Sequence, residues 1–145
     1  MDVEALSPLG PDDPLARFTV DRKAIGTDER DPPRVKTTVL SPQQEVSGRW
    51  ALSTFRVDGL TDAQRRAFGQ AWADRFQGGR DLKAYCALAV RLFESAHDGQ
   101  LRAEFDDDPR RHVNVVGWPD DEPTQLAIAL DLCWLVETEG QRVRY

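Results

Sequence analysis

The sequence predicts an α+β domain: a small, mostly antiparallel sheet with about three helices packed on it, preceded by an acidic, flexible N-terminal arm. Three observations predict it. Alternating and helical apolar periods are interleaved along the chain without a strict strand–helix–strand repeat. Two helix starts carry capping signals, at Thr61 and at Asp121–Pro123. Finally, 145 residues with 40% apolar side chains are enough for one core and too few for several.

Composition changes near residue 33. Residues 1–33 hold eight acids against four bases and five of the nine prolines. Proline fixes φ and removes a backbone donor, so this stretch reads as an acidic, Pro-rich, partly disordered arm, with 1–14 a solvated tail and 16–20 a short strand. Residues 34–145 read as a single globular domain. Arg34–Leu40 is β-branched between prolines and predicts a strand. Trp50–Val57 alternates large and small side chains and ends at Asp58-Gly59, a second strand.

Helical spacing of Ala67, Phe68, Ala71, Trp72 and Phe76 predicts a helix over 61–76. Thr61 and Gln64 have capping-box spacing at its start. Leu82, Tyr85, Cys86, Ala89, Val90 and Phe93 step by three and four, which predicts a second helix over 82–97 with Cys86 as an inert core thiol. Residues 101–105 and 112–118 alternate as strands around Asp106-Asp107-Asp108-Pro109. A third helix is expected over 123–139, apolar nearly all round, and Arg142–Tyr145 suits an edge strand. The expected core contains Phe55, Phe68, Trp72, Tyr85, Phe93, Val113, Leu130 and Trp134.

Several function classes lose support here. A net charge of −6 without a basic run disfavours general nucleic-acid binding. Cys86 and Cys133 form neither a disulfide framework nor a CxxC site. The N-terminus has no signal-peptide pattern, and the longest apolar stretch, around 126–136, is too short to span a bilayer. A cytoplasmic location without membrane attachment is expected. No metal site or cofactor is expected: three consecutive acids before Pro109 lack the ligand spacing of a calcium loop, and no phosphate-binding glycine loop occurs.

The densest chemistry lies in Arg110–Pro119, a stretch that resembles one in small bacterial proteins to which no activity attaches. Arg111 suits an anion, His112 acid–base work, Asn114 projects to the same side as His112, and Trp118 suits stacking. Arg56, at the end of its strand, would complete a phosphate clamp if it faced His112. The competing reading pairs Arg110 and Arg111 with Asp106–Asp108, bonds His112 and Asn114 locally and buries Trp118. Serine chemistry has no sequence-level support, since Ser47, Ser53 and Ser95 have no spacing link to His112. The function expected is a non-enzymatic protein–protein interaction module, a small subunit or adaptor of a bacterial assembly. Its partner is another protein, with a homo-oligomer left open. The alternative is a small nucleotide- or RNA-end-processing enzyme or binder using Arg111, His112 and Asn114, with His112 and Arg56 as its catalytic candidates and Trp118 lining the site.

Overall fold

The computed structural model describes residues 6–26, 34–76 and 78–145. The first strand, β1 (Pro14–Thr19), is followed by β2 (Gln43–Gln44) and β3 (Trp50–Arg56). Helix α1 (Asp62–Ala73) leads to β4 (Ala84–Ala89), α2 (Val90–Ser95), β5 (Arg102–Phe105) and β6 (His112–Val116). Helix α3 (Glu122–Glu139) and β7 (Gln141–Arg144) complete the fold. Among the described residues, seven strands make one antiparallel sheet in the order β5-β6-β3-β1-β4-β7, with β2 also pairing β3. The expected α+β class is therefore what the chain forms.

The sheet is covered on both faces, so there are two core layers rather than one. Phe18, Phe55, Tyr85 and Ala87 meet Phe68 and Trp72 of α1 on one face. Leu15, Leu52, Cys86, Leu88, Val113 and Val115 meet Phe93 of α2 and Ile128, Leu132, Cys133 and Val136 of α3 on the other. Helix α1 comes close because of Gly69: a Cβ there would stand 2.7 Å from the Phe18 ring and 2.8 Å from Leu82. Its capping box forms as read, Thr61 N donating to Gln64 Oε1 and Gln64 N to Thr61 Oγ1.

Three expectations are corrected. The helix over 82–97 is instead β4 followed by the short α2. All six β4 side chains are apolar, so the run fits a helical period and a doubly buried strand equally well. Pairing with β1 on one edge and β7 on the other decides for the strand. Residues 34–40 give one bridge, Val35 to Ile25, and a 3-10 turn, Thr37–Leu40. Its carbonyls find partners other than a neighbouring strand: Val39 O accepts from Arg17 Nε and Thr37 O from the Ser41 hydroxyl. Leu130 and Trp134, placed in the core by periodicity, are 40% and 43% exposed, because α3 buries only the row of Gln125, Ile128, Ala129, Leu132, Cys133 and Val136.

The described part of the acidic segment is built into the sheet. β1 lies between β3 and β4, so the compositional change near residue 33 is not an edge of the fold. Residues 7–14 are tied down as well. Val90 N donates to Asp13 O, Arg91 N to Pro11 O and Val57 N to Pro14 O, while Leu9 packs on the core. A proline lacks the N–H but keeps a carbonyl, and two of these three acceptors, Pro11 O and Pro14 O, are proline carbonyls. Residues 1–5 and 27–33, the rest of the expected arm, lie outside the described residues.

Candidate functional site

Strands β3 and β6 are neighbours, with Phe55 opposite His112 and Ser53 opposite Asn114. Side chains alternate across a sheet, so Ser53, Phe55, His112 and Asn114 share the α1 face. His112 is buried, its ring set edge-on against Phe55. Its Nε2 stands 2.7 Å from Ser53 Oγ. Its Nδ1 stands 2.8 Å from Asp106 Oδ1. A carboxylate only accepts, so the proton of the neutral ring sits on Nδ1, and Nε2 is left to accept the Ser53 hydroxyl proton. Asp106 is brought there by the β5–β6 hairpin. Asp106 N and Asp107 N both donate to His112 O, and His112 N donates to Pro109 O. The result is a continuous Ser53–His112–Asp106 hydrogen-bond relay.

The other anticipated site residues separate from it. Arg56 lies one position beyond Phe55, so it points to the opposite face from His112. It is fully buried, donating to both Asp58 oxygens at 2.8 and 2.9 Å, to Asp13 Oδ2 at 3.1 Å and to Ser7 O at 2.7 Å. Its guanidinium also lies 4.7 Å from the centre of the Phe105 ring. These bonds hold Arg56 above its ordinary pKa and Asp58 below the usual carboxylate range. Arg111 donates to Arg56 O and Asp58 O and closes the same cluster. The two arginines do come together, but as a structural clamp on the N-terminal segment and not around His112. Trp118 is buried and donates to Val115 O. Arg110 pairs with Asp107, one of the bonds the competing reading anticipated. His97 Nδ1 stands 2.9 Å from Asp131 Oδ2 of α3. Among the described residues no group of three or more His, Cys, Asp or Glu side chains is placed to hold a metal ion.

Two clefts flank Ser53. One, of about 260 Å³, is walled by Phe55, Trp72, Phe76 and Pro109 and reaches Ser53 and His112, with Arg75 at its wall. The other, of about 290 Å³, is lined by Arg17, Gln43, Gln44, Glu45, Ser53 and Asn114. It exists because the β3 ladder is interrupted at Ser53: β1 pairs with β3 at Phe55 and Arg56, and β2 pairs with it at Trp50 and Ala51. Arg17 fills the gap, donating to Ser53 O at 2.7 Å and Val39 O at 2.8 Å. Burial lowers its pKa, and among the described residues no carboxylate pairs with it. Sequence reasoning missed Ser53, Asp106 and Arg17. The hairpin between 101–105 and 112–118 already implies that Asp106 meets His112; nothing local implies Ser53.

A second feature is the outer row of α3. Leu126, Leu130 and Trp134 recur every four residues and are 55%, 40% and 43% exposed. Each end of the row opens on a cleft. One, of about 550 Å³, includes Pro42, Trp50, Pro123 and Leu126. The other, of about 350 Å³, includes Ala96, His97, Trp134 and Leu135. No Lys or Arg occurs between His112 and Gln141, whereas Asp120, Asp121, Glu122, Asp131, Glu137 and Glu139 do. Among the described residues, no helix is long and apolar enough to cross a membrane. Compared with protein-family models, curated proteins and solved structures, the chain matches none.

Proposed function

We propose that the chain is a protein–protein interaction module, a small subunit or adaptor of a bacterial cytoplasmic assembly, that docks through the outer row of α3. The observation that carries this is the exposed Leu126–Leu130–Trp134 row between two clefts. An isolated exposed leucine is ordinary, but three large apolar side chains in line on one helix form a continuous exposed apolar surface. The row is about 12 Å long at 1.5 Å per residue, which suits an amphipathic helix laid along it with anchors in the end clefts. Exposed Glu122 and Asp131, in the two end clefts, select the occupant: a segment whose apolar ridge is flanked by Lys or Arg. A second copy of this acidic chain would bring like charges together.

A photo-crosslinking residue at exposed Ala127 tests this in cells of the host. The expected product is one protein crosslinked through a Lys- or Arg-flanked amphipathic segment, lost in Leu130→Asp while the melting temperature holds. Loss of the crosslink at high salt is expected too, because rim charges are screened. Crosslinking only to a second copy, or none at all, overturns the reading.

A further inference from the structure

We propose that Ser53, His112 and Asp106 form a nucleophilic relay that hydrolyses small esters whose acyl group ends in a carboxylate. This goes beyond docking and uses the opposite face of the sheet. The relay has the order that acyl transfer needs: a hydroxyl within hydrogen-bond reach of an imidazole, and that imidazole oriented by a carboxylate on its other nitrogen. His112 Nε2 takes the Ser53 proton as Oγ attacks the ester carbonyl carbon. The bond to the leaving alcohol then breaks, and His112 passes the proton to that alkoxide. The products are acyl-Ser53 and an alcohol. Water, with His112 again as base, cleaves the acyl-Ser53 bond, releases the acid and restores the hydroxyl. Asp106 keeps its charge throughout and stabilises the imidazolium.

Three surroundings define the substrate. Asn114 faces Ser53 directly across the strands, where Cβ atoms stand about 4.5–5.5 Å apart, so its amide reaches an oxyanion formed beside Oγ. Arg17 brings into the cleft on that side a guanidinium that, among the described residues, no carboxylate pairs with. It is suited to a carboxylate, because a planar fork matches two oxygens. Glu45, the acid in the same cleft, is held by Arg49 at 3.1 Å. On the other side of Ser53, Phe55, Trp72, Phe76 and Pro109 offer an apolar wall for an aryl or alkyl leaving group.

The test uses the full chain with mono-4-nitrophenyl glutarate, 4-nitrophenyl butyrate and a fluorophosphonate probe. Expected are one-to-one probe modification at Ser53, lost in His112→Ala, and turnover that falls to the buffer rate in Ser53→Ala. Asp106→Asn should lower kcat by roughly 10³–10⁴-fold, because the wrong tautomer is presented to Ser53. Wild-type kcat/KM should favour the glutarate ester at least about 10-fold over the butyrate ester. Arg17→Gln should remove that preference through KM, since it removes a contact made equally in ground and transition states. Melting temperatures of all variants separate lost chemistry from lost folding, and the substrate preference needs no variant at all. An unmodified Ser53 with ester turnover unchanged in folded Ser53→Ala overturns the relay. Modification of Ser53 without preference for the anionic ester overturns the assignment of Arg17.

Discussion

At the scale of single residues, the decisive side chains are those that carry charge into the interior. Arg56 is fully buried and satisfied by two carboxylates and a carbonyl. Removing one member of such a cluster leaves the others desolvated and unpaired. Arg56→Met is therefore expected to destabilise by about 2–4 kcal/mol, below the full figure for a closed site because Asp13 and Asp58 retain some solvent. Urea denaturation measures it. The pH dependence has a definite sign. Asp58 lies below the usual carboxylate range because Arg56 donates to it. Its contribution is complete above the unfolded value of about 3.9 and is lost as pH falls through the lower folded value. Asp58→Asn should thus cost stability at pH 6, and the difference from wild type should shrink toward pH 2.

At the scale of elements, β1 and the residues before it behave unlike an arm. Asp13 O, Pro11 O and Pro14 O accept from Val90, Arg91 and Val57, and Asp13 anchors Arg56. Deleting residues 1–13 removes Asp13 O, Pro11 O, Ser7 O and the Asp13 carboxylate while leaving their donors on Val90, Arg91 and Arg56 behind, each worth roughly 1–3 kcal/mol when stranded. Circular dichroism melting should show a loss of several kcal/mol. A truncated protein as stable as the full chain would mean that the segment is only laid against the fold. The two long helices divide their work differently. α1 closes one face of the sheet with Phe68 and Trp72. α3 covers the other face with one row and leaves Leu126, Leu130 and Trp134 outside.

At the scale of the whole molecule, the cysteines report on cooperativity. Cys86 on β4 and Cys133 on α3 lie in the same core layer, and burial pushes both thiols up to about 12. The thiolate is the nucleophile that attacks a disulfide reagent, so neither buried thiol should react with one in the folded chain. Labelling is expected at a single rate for both, rising with denaturant in step with unfolding. Rapid labelling of one thiol in native buffer would show that α3 lifts from the sheet independently.

Local sequence signals were sufficient where the interactions are local. The Thr61–Gln64 box and the Asp121 cap, which accepts from Thr124 N, each close within three residues, so the starts of α1 and α3 could be read directly. Alternation placed β3, β5 and β6, and the turn between the last two explains why Asp106 meets His112. Ala84–Ala89 could not be resolved that way, because an unbroken apolar run satisfies both periods until neighbouring strands claim its backbone. The same limit governs the candidate sites. His112, Asn114 and Arg56 were legible as chemistry-bearing residues, but strand pairing decided that Arg56 turns away from His112 and that Ser53 faces it, 59 residues apart in the chain. The apolar surround of α3 was legible too. Which row the sheet buried, and which it left to solvent, depended on packing between elements far apart in sequence.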